Sequence, residues 1–351
     1  MHVFINGFGR IGRSVLRAAM QGAAPGVTIA GINDIADAQM CAYLFEFDSV
    51  FGPWRGEVAV TDGHLVVNGH AIPLHRTPDI AGLDLSGVDV VLECTGRAGS
   101  REVAARSLRA GAAKVLISGP SDAADVAVVL GANEAVLQGQ TIVSNASCTT
   151  NALAPIARLI HQTFGIVTGS MTTIHCYTGS QPTVDTPAAD FARSRAAALS
   201  MVPTTTSAQR LLDQILPDIA GRLQGSAVRV PTASVSAVDL CVMTARPTSV
   251  DAVNDMFIAA GGVIGTTTKA LVSTDLRARP ESIIMALPET RVTNGGMLRV
   301  FGWYDNEWGF SNRMLDVALL MGSRSNNFRF AGRWRLQNWP RVLGQVCGQV
   351  K

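Results

Sequence analysis

A chain of 351 residues, 47% hydrophobic and 16% charged, is long enough for two domains with cores of their own and too apolar to be disordered. Its net charge of +2 hides an uneven distribution. Residues 1–316 hold 23 basic and 27 acidic side chains, while the last 35 residues hold six basic ones and no acid. A main body with a net charge of −4 argues against a nucleic-acid binder.

Six cysteines (Cys41, Cys94, Cys148, Cys176, Cys241 and Cys347) are scattered without C-x-x-C spacing. Neither a disulfide framework nor a metal site is expected, and the compartment implied is reducing and cytoplasmic. Met1-His2-Val3-Phe4-Ile5 runs straight into a strand, so no secretory signal is expected, and no apolar run is long enough to span a bilayer.

The strand Val3–Ile5 leads at once into Gly7-Phe8-Gly9-Arg10-Ile11-Gly12, followed by a helical stretch to about Met20 and a second strand over Val27–Ile32. This is the context in which G-x-G-x-x-G marks a dinucleotide site. Gly7 permits the tight turn, Gly9 lets backbone approach a pyrophosphate, and Gly12 lets helix pack on strand. Asp34 follows Gly12 by 22 residues, where a carboxylate binds a ribose hydroxyl and repels a 2′-phosphate. NAD is therefore the expected cofactor.

A hairpin is predicted from Val58–Val60 to His64–Val67, turned at Asp62-Gly63. Further parallel-type strands are predicted at 88–92, 114–117 and 141–143, each ending in small or polar residues. Ligands bind at such strand ends in an open α/β sheet. The last of them leads into Ser144-Asn145-Ala146-Ser147-Cys148-Thr149-Thr150-Asn151, with a helical pattern behind it. A thiol at a helix N-terminus meets unpaired N–H groups and partial positive charge, which favour the nucleophilic thiolate. An inert buried cysteine is the commoner outcome, but this one emerges on the cofactor side.

Beyond Cys148 strands dominate, at 170–175, 227–230, 234–240 and 298–304, so a second, α+β domain with a mixed, largely antiparallel sheet is expected. His175 ends a strand in polar company and is the natural partner for a thiol. Residues 178–201 form a long polar segment with Arg193 and Arg195; such length implies binding or an interface. Thr204-Thr205-Thr206-Ser207 and Arg229 are further candidate anion ligands.

Over most of residues 3–320 the chain resembles the phosphorylating glyceraldehyde-3-phosphate dehydrogenase family. The resemblance rests on residues 5–13, Asn33-Asp34, Cys94-Thr95-Gly96, Ser144–Asn151, His175-Cys176-Tyr177-Thr178, Arg229-Val230-Pro231-Thr232 and residues 303–309. It implies Cys148 as nucleophile, with His175 as base and hydride-transfer helper. The thiolate adds to an aldehyde, hydride leaves to NAD, and inorganic phosphate cleaves the thioester. It also implies NAD contacts from Arg10, Ile11, Asp34, Arg76, Thr95, Ser118 and Asn306. Thr178 and Arg229 would hold the substrate's phosphate. Ser147, Thr149, Arg195, Thr206 and Ser207 would line the site of the attacking phosphate. A homotetramer is implied, with residues 178–201 between subunits.

The resemblance divides the chain into an NAD-binding domain over 1–147, completed by a helix over about 309–321, and a catalytic domain over 148–308. A basic extension over 322–351 runs past typical members. Gly179-Ser180 stands where Asn-Asp is usual, Ser207 replaces a glycine, Phe310 a tyrosine, and 258–265 is shortened. Cys94-Thr95-Gly96, Gly99–Glu102 and Trp308-Gly309-Phe310 resemble the sibling erythrose-4-phosphate dehydrogenase, which transfers the acyl group to water. Asp34 and Thr178 favour the phosphorylating enzyme. A third reading keeps the fold as an NAD-binding redox sensor with weakened catalysis.

Overall fold

The structure is a computed structural model and describes residues 1–322; the basic extension from 323 onward lies outside the described residues. Two sheets organise the chain. The first contains β1 (His2–Asn6), β2 (Thr28–Asn33), β3 (Val58–Thr61), β4 (His64–Val67), β5 (His70–His75), β6 (Val90–Glu93), β7 (Lys114–Ile117), β8 (Val126–Ala127) and β9 (Ile142–Ser144). Their spatial order is β3-β4-β5-β2-β1-β6-β7-β9-β8. Strands β1, β6, β7 and β9 read as continuous apolar runs because both faces of a parallel sheet are covered.

Chain order reverses at β1, which pairs with β2 on one side and β6 on the other. A crevice opens at such a point, beyond the strands' carboxyl ends. The predicted hairpin forms in register, with Asp62 and Gly63 both at positive φ (49° and 76°), as a two-residue turn requires. A second turn at Asn68-Gly69, with φ of 50° and 79°, adds β5, which the sequence reading passed over. Strand β5 then pairs parallel with β2 and joins the hairpin to the main sheet.

Helix α1 (Arg10–Met20) packs Val15 and Leu16 inward and lies against the helix over Trp308–Gly322, the last described element. That final helix is tied down by Asp305, whose Oδ1 accepts from the Glu307 and Trp308 N–H groups and whose Oδ2 accepts from Ala278 N–H.

The second sheet contains β10 (Ile166–Cys176), β11 (Val202–Thr204), β12 (Leu223–Val230), β13 (Ser236–Thr244), β14 (Ile264–Thr267), β15 (Ile283–Ala286), β16 (Arg291–Val292) and β17 (Met297–Tyr304). Its order is β11-β12-β10-β13-β17-β15-β14, with β16 on β17. The pairs β10–β12 and β14–β15 are parallel and the rest antiparallel, so the sheet is mixed as expected. Helix α2 (Cys148–Phe164) links the two sheets in sequence and packs on β10, β13 and β15 of the second and on the final helix. Its Leu153, Ile156 and Ile160 are fully buried in the principal core, where truncation to alanine costs about 2–5 kcal/mol each. Among the described residues, no helix is long and apolar enough to cross a membrane.

Candidate active site

The crevice of the first sheet is floored by a polar chain across the strand ends. Asn33 Nδ2 donates to Asn6 Oδ1 (2.8 Å), Asn6 Nδ2 donates to Glu93 Oε2 (2.6 Å), and Glu93 Oε1 accepts from Thr95 N–H (3.0 Å). All three members of the chain's core, Asn6, Asn33 and Glu93, are buried. Sequence reading counted Asn6 and Asn33 within motifs but assigned them no work; their convergence depends on the parallel register of β2, β1 and β6.

Gly7, Gly9, Asp34, Ile35, Thr77, Pro78, Thr95 and Arg97 are among the residues lining a cleft of about 300 Å³ above that floor. A Cβ on Gly7, which sits at φ +95°, would lie 2.6 Å from Thr95 N, and one on Gly12 would lie 2.1 Å from Gly7 O. Gly9 faces open space and caps α1 without any side-chain hydrogen bond or acidic residue in the first turn. The first turn's N–H groups therefore remain available to an anion, as a pyrophosphate needs. Asp34 is pinned by Phe8 N–H (2.6 Å) and Ala36 N–H (2.9 Å) at the cleft wall. These residues fit a dinucleotide.

Arg10 differs from expectation in one respect. Its guanidinium is engaged by Asp48 and Glu307, and these partners raise its pKa against the effect of burial. Its side chain is thus a brace between segments, and what it can offer a cofactor is its backbone N–H. Arg76 is exposed and bonds Ile35 O (3.0 Å). Ser118 directly follows β7, with its N–H on Glu93 O.

The thiol is delivered by strain and capping together. Ala146 is fully buried at φ +53°, a left-handed backbone that costs of order 1–3 kcal/mol for a side-chain-bearing residue. Ser147 then caps α2 by accepting from Thr150 N–H (3.0 Å), and Cys148 is the helix's first residue. Its Sγ lies 3.6 Å from His175 Nε2. On the adjoining parallel strand Arg229 is the register partner of His175. Its NH1 stands 2.7 Å from His175 Nδ1 and 3.0 Å from the Cys176 carbonyl, and that carbonyl is itself 2.7 Å from Nδ1.

Two N–H groups cannot point at each other, so Nδ1 has two alternatives. With a proton on Nδ1 donated to the Cys176 carbonyl, Nε2 is bare toward the thiol. With Nδ1 accepting from Arg229, Nε2 carries the proton toward the sulfur. Burial and the Arg229 charge push His175 down to about 4, so the ring is neutral at physiological pH.

Burial also pushes the Cys148 thiol above its ordinary value, against the pull of Arg229, Thr149 and the first-turn N–H groups. This corrects the expectation of a resting thiolate: desolvation outweighs the helix terminus, so thiol and imidazole are both neutral at rest.

Tyr304, which sequence reading left without a role, supports the pair. Its OH bonds Thr149 Oγ1 (2.9 Å) and Thr173 Oγ1 (2.8 Å), and its ring meets His175 edge-on at 6.0 Å. Of the remaining candidates, Thr178 Oγ1 bonds Ser180 Oγ (3.0 Å), and Arg195 Nε donates to Asp185 Oδ2 (2.8 Å). Thr206 Oγ1 accepts from Ala208 N–H (3.1 Å), and Ser207 adjoins the helix over Ala208–Ile215. None of these four shares a hydrogen bond with Cys148 or His175; among the candidate phosphate ligands Arg229 reaches His175 directly and Thr149 hydrogen-bonds Cys148.

Residues 147–306 match the family model for the C-terminal domain of glyceraldehyde 3-phosphate dehydrogenase, and residues 1–101 match that family's NAD binding domain. The chain belongs to the glyceraldehyde-3-phosphate dehydrogenase family. It is similar to glyceraldehyde-3-phosphate dehydrogenases from Cereibacter sphaeroides (46% identical, covering 92% of this chain and 98% of the relative), Xanthobacter flavus (47%, 91% and 98%) and Pseudomonas aeruginosa (48%, 91% and 97%). As a glyceraldehyde-3-phosphate dehydrogenase family member the protein is an NAD-dependent oxidoreductase, and the crevice at the β1 switch point belongs to its NAD-binding domain.

Proposed function

We propose that the protein oxidises glyceraldehyde 3-phosphate with NAD and inorganic phosphate to 1,3-bisphosphoglycerate, through an acyl group carried on Cys148. The observation that carries this reading is the 3.6 Å approach of Cys148 Sγ to His175 Nε2, with Arg229 alongside at the end of β12. In the tautomer whose Nδ1–H is donated to the Cys176 carbonyl, Nε2 takes the thiol proton as sulfur bonds to the aldehyde carbon. The resulting alkoxide takes that proton back from His175 Nε2, giving a hemithioacetal and restoring the neutral base. NAD, when held in the crevice, would supply the hydride acceptor for this carbon; His175 Nε2 takes the hydroxyl proton as the carbon is oxidised, and a thioester is left on sulfur. A phosphate oxygen then attacks the acyl carbon; the C–S bond breaks, and Cys148 regains its proton as the acyl phosphate departs.

In this reading Gly7, Gly9, Arg10, Ile11, Gly12, Asp34, Arg76, Thr95, Ser118 and Asn306 hold NAD. Arg229 and Thr178 hold the substrate's phosphate, and Ser147, Thr149, Arg195, Thr206 and Ser207 line the attacking-phosphate site. Arg229 also has a task beyond charge. A bound anion competes with His175 Nδ1 for its N–H groups and so favours the base-ready tautomer. The domains are 1–147, completed by about 309–321, and 148–308. We place the enzyme in the cytoplasm as a homotetramer, with the exposed apolar Val184, Phe191, Leu199 and Met201 covered between subunits.

The test is a substrate panel followed by NADH absorbance. Glyceraldehyde 3-phosphate is expected to be oxidised only with phosphate or arsenate present. Turnover of erythrose 4-phosphate without phosphate would assign the chain to the sibling activity. A reactive Cys148 and bound NAD without turnover of either aldehyde would make it a redox sensor.

A further inference from the structure

Asn306 sits in the one-turn junction between β17 and the final helix, directly after Tyr304, which bonds Thr149 and Thr173, and the Asp305 cap. Its side chain is buried, and its Oδ1 faces two donors. Cys176 Sγ lies 3.0 Å away and Ser236 Oγ 3.4 Å away. The Ser236 hydroxyl accepts from Cys176 N–H (3.1 Å), so its own hydrogen is left to point at Asn306. Burial pushes the Cys176 thiol up to about 12, which keeps it an S–H donor throughout the physiological range.

Both inward contacts therefore require an oxygen on Asn306, not an NH₂. The amide's Nδ2 has no hydrogen-bond partner among the described residues and is not sealed from solvent. A side-chain amide without such anchors can rotate by half a turn and exchange donor for acceptor at little cost. Here that exchange would set an NH₂ against two donors at once, and leaving them unmatched costs free energy that the fixed orientation avoids.

We propose that Cys176 is a positioning residue for the cofactor: with Ser236 it locks the Asn306 amide so that the site presents an N–H donor to the nicotinamide carboxamide. An outward donor accepts the carboxamide through its oxygen and refuses it through its nitrogen, which sets one of the two ways the ring can lie. This rests on the reading that Asn306 meets the nicotinamide. The same residue thus serves both halves of the site, because its carbonyl anchors His175 Nδ1 and Arg229 while its thiol anchors Asn306.

The experiment measures binding of NAD and of ADP-ribose, which lacks the nicotinamide, by titration calorimetry on the full-length protein. Cys176→Ala is expected to weaken NAD by about three- to tenfold and leave ADP-ribose unchanged. Cys176→Ser, whose hydroxyl can donate to the same oxygen, is expected to keep most of the NAD affinity, and Ser236→Ala to show a smaller NAD-only loss. In an Asn306→Ala background, Cys176→Ala is expected to have no further effect on NAD.

Equal weakening of both ligands by both Cys176→Ala and Ser236→Ala would mean a structural role and overturn the proposal. So would full additivity with Asn306→Ala. If Asn306→Ala binds NAD as the unsubstituted protein does, Asn306 does not meet the nicotinamide, and the proposal falls for that separate reason.

Discussion

The Cys148–His175 pair and the segment over 178–207 are built on opposite principles. Around Cys148 and His175 nearly every contact is short, buried and made by residues on helix α2 or on β10, β12, β13 and β17. The segment over 178–207 is mostly irregular and exposed. Phe191 is 95% and Leu199 84% accessible, and Arg195 meets Asp185 with both side chains more than half exposed. Rigid elements hold a nucleophile to within the few tenths of an ångström that proton transfer needs. An exposed loop suits ligands that must enter and leave, and surfaces that a neighbour covers.

The contrast is sharpest at Cys148 itself. Cys148→Ser is expected to reduce aldehyde oxidation by on the order of 10⁴-fold or more while leaving NAD affinity within about twofold. Paired NADH and NAD-titration assays check this, and retained turnover would break the reading.

Next in size is a pH effect on stability. The folded-state pKa of His175 is depressed to about 4, while the unfolded chain protonates near the model-peptide value of about 6.5. Between those limits the unfolded state binds the proton and the native state does not, so stability falls as pH drops from about 6.5 to about 4. The difference should approach about 3 kcal/mol. Urea titrations across that window should show the slope, and its reduction in His175→Gln; an unchanged slope would place it in other histidines such as His75 and His161, which are also depressed.

Tyr304→Phe tests the support behind the pair. Losing one hydroxyl that joins Thr149 to Thr173 should cost about 1–3 kcal/mol of stability and lower kcat more than it raises KM. A thermal melt and steady-state kinetics read both effects. The smallest change is expected in the exposed segment. Asp185→Asn should move stability by less than about 1 kcal/mol, because its partner Arg195 is solvent-screened. Any effect there should appear in KM for the phosphorylated substrate. A large kcat loss would show that the segment is not the independent part the contrast makes it.

Much of this molecule is legible along the chain. The glycine turn, the Asp62-Gly63 hairpin and the capped cysteine are local: positive-φ glycines, two-residue turns and helix N-termini are decided by neighbours within a few positions. The Asn68-Gly69 turn was equally local and should have announced β5. The short strands β14 and β16 are likewise flanked by turn signals, Gly261-Gly262 and Asn294-Gly295-Gly296, but their place was decided by pairing, β15 and β16 on β17 and β14 on β15.

From the sequence alone came the cofactor class, the proposed nucleophile and the two-sheet plan, because each rests on short-range geometry or on motif resemblance. Tertiary structure decided how the site works. Only sheet register sets Arg229 beside His175 and Ser236 beside Tyr304. Burial pushes the thiol up, and burial with the Arg229 charge pushes the imidazole down, against what the helix terminus alone predicts. Desolvation and convergence belong to the packed interior, and no spacing along the chain encodes them.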